Sequence, residues 1–266
     1  MPLSLNEQPM LTKATLKLIR SLDTRKGRRS EGLFVAEGPK LVGELLGYFN
    51  LRQLFVAQDV RSACAELLQR AEPSRIVDVT PDELTRASLQ QTPQGVLALF
   101  EIPADEADFA ATAASELTIV LDDVQDPGNL GTIVRLADWF GVNHIWATPA
   151  TADIYNPKAV QATMGGLSRT RVHIINNLPA ALAALPDSVP VYATSLHGDV
   201  LWQSPLSPTG VIVMGNEGRG IHPEVEAACR RRLLIPTFPA ERKATDSLNV
   251  AMATGIVLAE FRRRQS

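Results

Sequence analysis

Short apolar runs recur along the chain, separated by longer stretches in which apolar residues return every third or fourth position. Runs at 33–36, 54–57, 76–79 and 96–100 read as strands, and the stretches at 40–49 and through Cys64, Leu67 and Leu68 have the helical period. Leu11, Leu16, Leu18, Ile19 and Leu22 predict an opening helix. Thr80-Pro81-Asp82-Glu83 is a helix start: a capping hydroxyl, a proline at the first helical position and a glutamate able to reach back. Such alternation predicts a layered α/β domain.

The pattern breaks at IPADEADFAATAAS, which is acidic, rich in alanine and without a strand signal. A linker is placed at 103–115, between a first domain at 1–102 and a second at 116–266. In the second, strands are predicted at 117–122, 144–147, 172–175, 191–193, 211–214 and 233–235, with helices at 130–140 and 247–263. Apolar strands bounded by helices imply a largely parallel sheet covered on both faces.

The 266 residues are 45% hydrophobic, and no window holds 18 continuous apolar residues, so no membrane span is expected. MPLSLNEQPM lacks the basic and apolar regions of a signal peptide. Cys64 and Cys229 match no disulfide framework, and His144, His173, His197 and His222 show no ligand spacing. A reducing cytoplasm and no metal are expected. Net charge is −3, but Lys13, Lys17, Arg20, Arg25, Lys26, Arg28 and Arg29 stand against a single acid, Asp23. Local basic patches supply the phosphate contacts that dominate nucleic-acid affinity. The segment 25–30 reads as a flexible loop, making Arg25, Lys26, Arg28 and Arg29 candidate RNA contacts.

Three segments place a polar loop after an apolar strand, two of them bearing glycine, where parallel sheets bind ligands. The first carries Asn129, Gly131 and Arg135 across a loop and the opening turns of a helix. The second is Gly215-Asn216-Glu217-Gly218-Arg219-Gly220. The third is Ile235-Pro236, then Ser247-Leu248-Asn249-Val250. The dinucleotide fingerprint fails, because the glycine spacing at 215, 218 and 220 is reversed and lies late in the chain.

Together, in this order, the three resemble the motifs of the SpoU family of RNA ribose methyltransferases, in the knotted SPOUT superfamily. Asp126-Pro127, Asn129, Gly131, Arg135, Ala137 and Phe140-Gly141 look like its first motif. The glycine loop looks like its second, and Ile235-Pro236 with Ser247 to Val250, Ala253, Gly255 and Glu260 like its third. Asn156-Pro157-Lys158-Ala159-Val160 with Gly165-Gly166 matches a further family segment. The first hundred residues, with Phe34-Val-Ala-Glu-Gly38, resemble the small α/β substrate-binding domain of many members, itself akin to kink-turn-binding ribosomal proteins.

The resemblance implies an S-adenosylmethionine-dependent methyltransferase acting on a ribose 2′-hydroxyl, with ribosomal RNA favoured over transfer RNA. It further implies a C-terminal trefoil knot and a homodimer. By position it assigns the cofactor to Thr194, Gly215, Asn216, Ile235 and Leu248, and catalysis to Arg135, Glu217, Asn249, Asn129 and Ser247. A guanidinium stays protonated in proteins, so Arg135 suits a phosphate or a developing alkoxide, leaving Glu217 as proton acceptor or as the group that orients Arg135. Asn129 and Ser247 also suit plain helix capping. One departure stands out: Pro236 and Ser247 are farther apart than in the family, with an enlarged, charged loop between them. The competing reading is a catalytically degenerate RNA-binding protein of the same fold.

Overall fold

The computed structural model describes residues 11–239 and 247–265. They fall into two compact units, Met1–Ala104 with Tyr155–Ser168, and Asp105–Ile154 with Arg169–Ser266.

The first unit opens with α1 (Lys13–Ser21), α2 (Arg25–Glu31), β1 (Leu33–Glu37) and α3 (Pro39–Leu45). It continues through β2 (Leu51–Ala57), α4 (Ala65–Gln69), β3 (Ile76–Val79), α5 (Pro81–Ala87) and β4 (Val96–Glu101). The sheet order is β1-β4-β2-β3; β4 runs antiparallel to both neighbours, while β2 and β3 are parallel. Ile19 of α1 and Leu22 at its C-cap bury against Val35, Phe55, Leu97 and Leu99 of the strands. The Thr80–Glu83 capping box forms, and Glu83 also accepts the Leu11 N–H at 3.1 Å, tying the chain ahead of α1 to α5.

The segment 25–30, expected to be a loop, is helical. Thr24 Oγ1 accepts the Gly27 N–H at 3.0 Å, and Gly32 closes the helix in the left-handed conformation at φ 65°. The sequence hid this because α2 has no apolar stripe. Its buried residue is Arg28, whose guanidinium donates to the carbonyls of Leu22 (2.7 Å) and Asp23 (3.0 Å), just beyond α1. The aliphatic stem does the work of an apolar side chain.

The second unit begins with α6 (Phe109–Ser115), β5 (Leu117–Leu121), α7 (Pro127–Trp139) and β6 (His144–Ala147). After α8 (Pro157–Ala162), which belongs to the first unit, come β7 (Arg171–Ile174), α9 (Leu178–Ala183), β8 (Val191–Val200), β9 (Gly210–Met214), α10 (Pro223–Ala228), β10 (Arg231–Leu234) and α11 (Val250–Arg263). The six strands are all parallel, in the order β10-β8-β9-β5-β6-β7. Every residue of β5 and β9 is buried, as expected of central strands covered on both faces. The parallel arrangement brings the loops after β5, β9 and β10 to one edge.

Half of the expected linker is helix. Asp108 caps α6 by accepting the Ala111 N–H at 2.9 Å, Ala113 is fully buried, and the Phe109 ring meets Trp146 edge-on at 5.3 Å. Two buried side chains in an alanine-rich heptapeptide anchor the helix but leave a weak periodic signal. A second difference concerns Tyr155–Ser168. It groups with the first unit: α8 lies against β1, the Tyr155 ring sits 4.9 Å from Phe34, and Gln90 Nε2 donates to Gln161 Oε1 at 2.8 Å. None of the helices among the described residues is long and apolar enough to cross a membrane.

Candidate active site

The first motif is built on a helix N-terminus. Pro127 starts α7, and Asp126 caps it by accepting the Asn129 N–H at 2.8 Å. Asn129 is thereby fixed in the first turn, and its Nδ2 donates to Glu217 Oε1 at 2.9 Å.

Glu217 sits in the loop after β9, which turns back tightly. The main chains of Asn216 and Gly220 exchange both N–H···O bonds at 2.9 Å, and Asn216 Oδ1 accepts the N–H groups of Gly218 and Arg219 at 3.0 Å each. Asn216 Nδ2 donates to the Asp123 carbonyl at 2.8 Å. Gly215 has no room for a side chain: a Cβ there would lie 2.4 Å from the Gly220 carbonyl carbon. The glycine is required by close approach of two backbones.

The third motif arrives through Asn249, the cap of α11. Its Oδ1 accepts the N–H groups of Ala251 and Met252, and its Nδ2 donates to Asn129 Oδ1 at 3.0 Å. The amide orientations follow from one another. The α11 backbone can only donate to Asn249, so Nδ2 faces Asn129; Asn129 must then accept through Oδ1 and donate through Nδ2 to a carboxylate that only accepts. Asn249, Asn129 and Glu217 form one polarised chain across all three motifs.

Beside this chain lies a cavity of about 410 Å³, within the range of small-molecule sites. Thr194, Gly215, Asn216, Ile235 and Leu248 all line it, as do Glu217 and Ser247. Its wall also takes in Leu196 and His197 from the far part of β8, which no motif or apolar run singles out: beyond Ala193 that strand is mostly polar and no residue of it is buried. The Thr194 hydroxyl donates to the Val213 carbonyl at 2.9 Å, joining β8 to β9 at the cavity. The cap of α11 is Asn249 rather than Ser247, which stands two residues ahead of it and is exposed.

Arg135 is exposed on α7, lines no part of the cavity, and makes no hydrogen bond or ion pair with any described residue. Of the candidate RNA contacts, Lys26 and Arg29 are exposed and Arg25 half-buried. Arg28, at 2% exposure with its donors on backbone carbonyls, presents no charge to a ligand; that expectation is corrected. Part of the enlarged loop, residues 240–246, lies outside the described residues.

The structure also assembles a group that the histidine spacing did not show. Asp122, Asp123 and His222 bring one potential ligand atom each within 4.8 Å of one another. Cys229 is no nucleophile: burial pushes its thiol up to about 12.

The profile of the SpoU rRNA Methylase family matches residues 116–259, and that of the MRM3-like substrate binding domain matches residues 13–98. A putative RNA methyltransferase of the TrmH family from Porphyromonas gingivalis superposes with a TM-score of 0.85 at 40% identity, over 96% of this chain and 99% of the other. An AdoMet-bound rRNA methyltransferase from Sinorhizobium meliloti superposes with a TM-score of 0.81 at 31% identity, over 96% and 97%. A 23S rRNA guanosine 2′-O-methyltransferase of Bacillus subtilis is 28% identical, over 91% of this chain and 94% of its own.

Proposed function

The chain belongs to the SpoU rRNA methylase family, and from this we propose that it methylates a ribose 2′-hydroxyl of ribosomal RNA. It is an S-adenosylmethionine-dependent RNA methyltransferase. The observation that carries the site assignment is that Glu217 belongs both to the cavity wall and to the hydrogen-bonded chain through Asn129 and Asn249. The cofactor pocket and the polar machinery meet at one carboxylate.

The residues present fit S-adenosylmethionine. Gly215 lets two backbones close one side of the cavity, and Ile235 and Leu248 offer apolar surface for a purine. When bound, the cofactor supplies an electrophilic methyl group on a sulfonium. In-line displacement then requires an aligned hydroxyl and removal of its proton. Glu217 receives that proton, with Asn129 holding one carboxylate oxygen and leaving the other for the hydroxyl. Arg135 holds the adjoining phosphate and stabilises the developing alkoxide. The exposed Lys13, Lys17, Arg20, Lys26 and Arg29 of the first unit suit RNA phosphates. The cytoplasm is the compartment this reading takes.

The same reading includes the knotted threading of the second unit and a homodimer. Arg135 lies outside the cavity wall, which suits a site completed by a second copy. On α11, Met252 is 64% exposed and Gly255 and Ile256 half-buried, while Trp139 of the neighbouring α7 is 83% exposed. This apolar face suits the partner chain.

The test is transfer of labelled methyl from S-adenosylmethionine to ribosomal and transfer RNA, with 2′-O-methyl mapping in RNA from a deletion strain. A missing 2′-O-methyl group in ribosomal RNA is expected; a missing one in transfer RNA alone would overturn the substrate assignment.

A further inference from the structure

Between the cavity wall and the sheet lies a set of contacts that the reaction itself does not use. Asp122 follows β5 and is 1% exposed. Its carboxylate accepts the His222 backbone N–H at 2.7 Å and faces ring Nδ1 at 3.0 Å. A carboxylate paired this way only accepts, so Nδ1 carries the proton. His222 Nε2 lies 3.7 Å from Asp123 Oδ2, and the Arg219 guanidinium 3.5 Å from the same oxygen.

Asp123 holds a left-handed conformation at φ 59°, uncommon outside glycine but tolerated by aspartate where a local constraint favours it. Thr148 supplies it: the Asp123 N–H donates to Thr148 Oγ1 at 2.9 Å, and that hydroxyl donates back to Asp123 Oδ1 at 2.6 Å. In this pose the Asp123 carbonyl receives Asn216 Nδ2 at 2.8 Å. The loop from Gly215 to His222 is thus fastened at its start by Asn216, in its middle by Arg219 and at its end by His222, always to Asp122 or Asp123.

Gly215 to Ile221 all line the cavity, whereas Asp122, Asp123, Thr148 and His222 do not. The bonds between Asn216 and Gly220 close the turn and Asn129 holds Glu217, but Gly218, Arg219 and Gly220 are exposed and three of the loop's residues are glycine, so its seating against the end of β5 depends on the contacts to Asp122 and Asp123. Unfastened, it would have to be ordered at the moment of binding, and that cost would appear as lost affinity.

We propose that Asp122, Asp123 and His222 act as a clasp that pre-shapes the Gly215–Ile221 loop and so sets affinity for S-adenosylmethionine. They are positioning residues, and the proposal rests on the reading of this cavity as the cofactor site.

Calorimetry on the full chain with S-adenosylmethionine tests it, alongside steady-state transfer to RNA. Removing one charge-assisted hydrogen bond in His222→Ala should weaken binding about tenfold, with KM for the cofactor rising more than kcat falls. His222→Asn places an amide N–H where Nδ1–H stood and should recover most of the loss. Should the alanine variant melt without cooperativity, Thr148→Val removes only the hydroxyl that holds Asp123 and should weaken binding several-fold. Wild-type affinity in His222→Ala or Thr148→Val, or an asparagine variant no better than the alanine, would overturn the clasp while leaving the cofactor site intact. A wild-type chain that binds no S-adenosylmethionine would overturn the cofactor reading itself.

Discussion

Asn129 Nδ2 donates to Glu217 Oε1 at 2.9 Å, across 88 positions of sequence. The bond links the first turn of α7 to the glycine loop after β9. It exists because parallel strands deliver both loops to one sheet edge. Asn129→Ala should therefore act on chemistry more than on cofactor affinity. Removing the group that orients a proton acceptor costs about 10²-fold in transfer rate, while binding of S-adenosylmethionine should stay within a few-fold, since Asn129 is not in the cavity wall. Single-turnover transfer and calorimetry together read both. Weakened cofactor binding with an unchanged rate of transfer at saturating cofactor would reverse the assignment.

Arg135→Ala should separate the two functions further. The guanidinium is exposed and outside the cavity, so cofactor affinity should be unchanged. Loss of charge stabilisation should lower transfer by about 10²–10³-fold, and lysine should restore it only in part, because it lacks the planar fork. Measured kcat with saturating cofactor decides the matter. Transfer at the wild-type rate would remove Arg135 from the reaction.

These two residues show how much a sequence can reveal. The spacing from Asn129 to Arg135, the glycine loop and the Ser247–Asn249 step are legible because each motif is local. That Asn249 caps α11 with one end of its amide and reaches Asn129 with the other is not, because it depends on the approach of α7 and α11 in space. Arg28 is misread for a related reason: composition counts a charge without saying where its donors go. Helix α6 escapes because a single aromatic, Phe109, anchors it against Trp146, and one contact has no period. His222 carries no local signal, since its partner Asp122 lies 100 positions away.

The first unit should divide its basic residues by role. Lys26→Glu with Arg29→Glu removes exposed charge and should flatten the dependence of RNA affinity on salt, by just under one unit of slope for each phosphate no longer neutralised. Arg28→Ala should leave that slope alone and instead cost about 1–3 kcal/mol of stability, because the buried Leu22 carbonyl, and with it that of Asp23, loses its donor. Filter binding at graded salt and denaturant melts distinguish the two. An Arg28 variant with a reduced slope and full stability would restore it to the RNA surface.

The end of α11 carries a pH-dependent contribution. Glu260 is 7% exposed and accepts hydrogen bonds from Arg263 and Arg264, at 2.8 Å each. These bonds, that from Arg263 foremost, hold its carboxyl down to about 2 from an ordinary 4.5. A depressed carboxyl stabilises the fold fully above its unfolded value, and the contribution is lost as pH falls from about 4.5 toward 2. Arg264 is also the donor to the carbonyls of Ser204 and Leu201, so the loss should loosen this helix end. Thermal melts of Glu260→Gln should start lower at pH 7 and converge with wild type as pH drops through that window. Parallel curves would show that the pair contributes nothing.

A helix apolar on most of its circumference must be buried on most of it. α11 meets this on one side, where Val257, Leu258 and Phe261 are buried; on the other, Met252 and Ile256 remain open. Gly255 faces Leu136 of α7, with ordinary contact distance for a Cβ, so the two helices lie together, with Met252 exposed on one and Trp139 on the other. Light scattering at micromolar concentration should give twice the chain mass of 28.8 kDa. Met252→Glu places a charge on that face and should yield monomers with reduced transfer, whereas a change at exposed Lys17, in the first unit, should not alter mass. The full chain is the right material. A truncation starting at Asp105 would strip β1 from α8 and leave Tyr155 without Phe34, so its aggregation would say nothing of the α11 face. A wild-type mass of one chain, or a Met252→Glu variant that stays dimeric, would move the partner surface elsewhere and leave Arg135 to act in its own subunit.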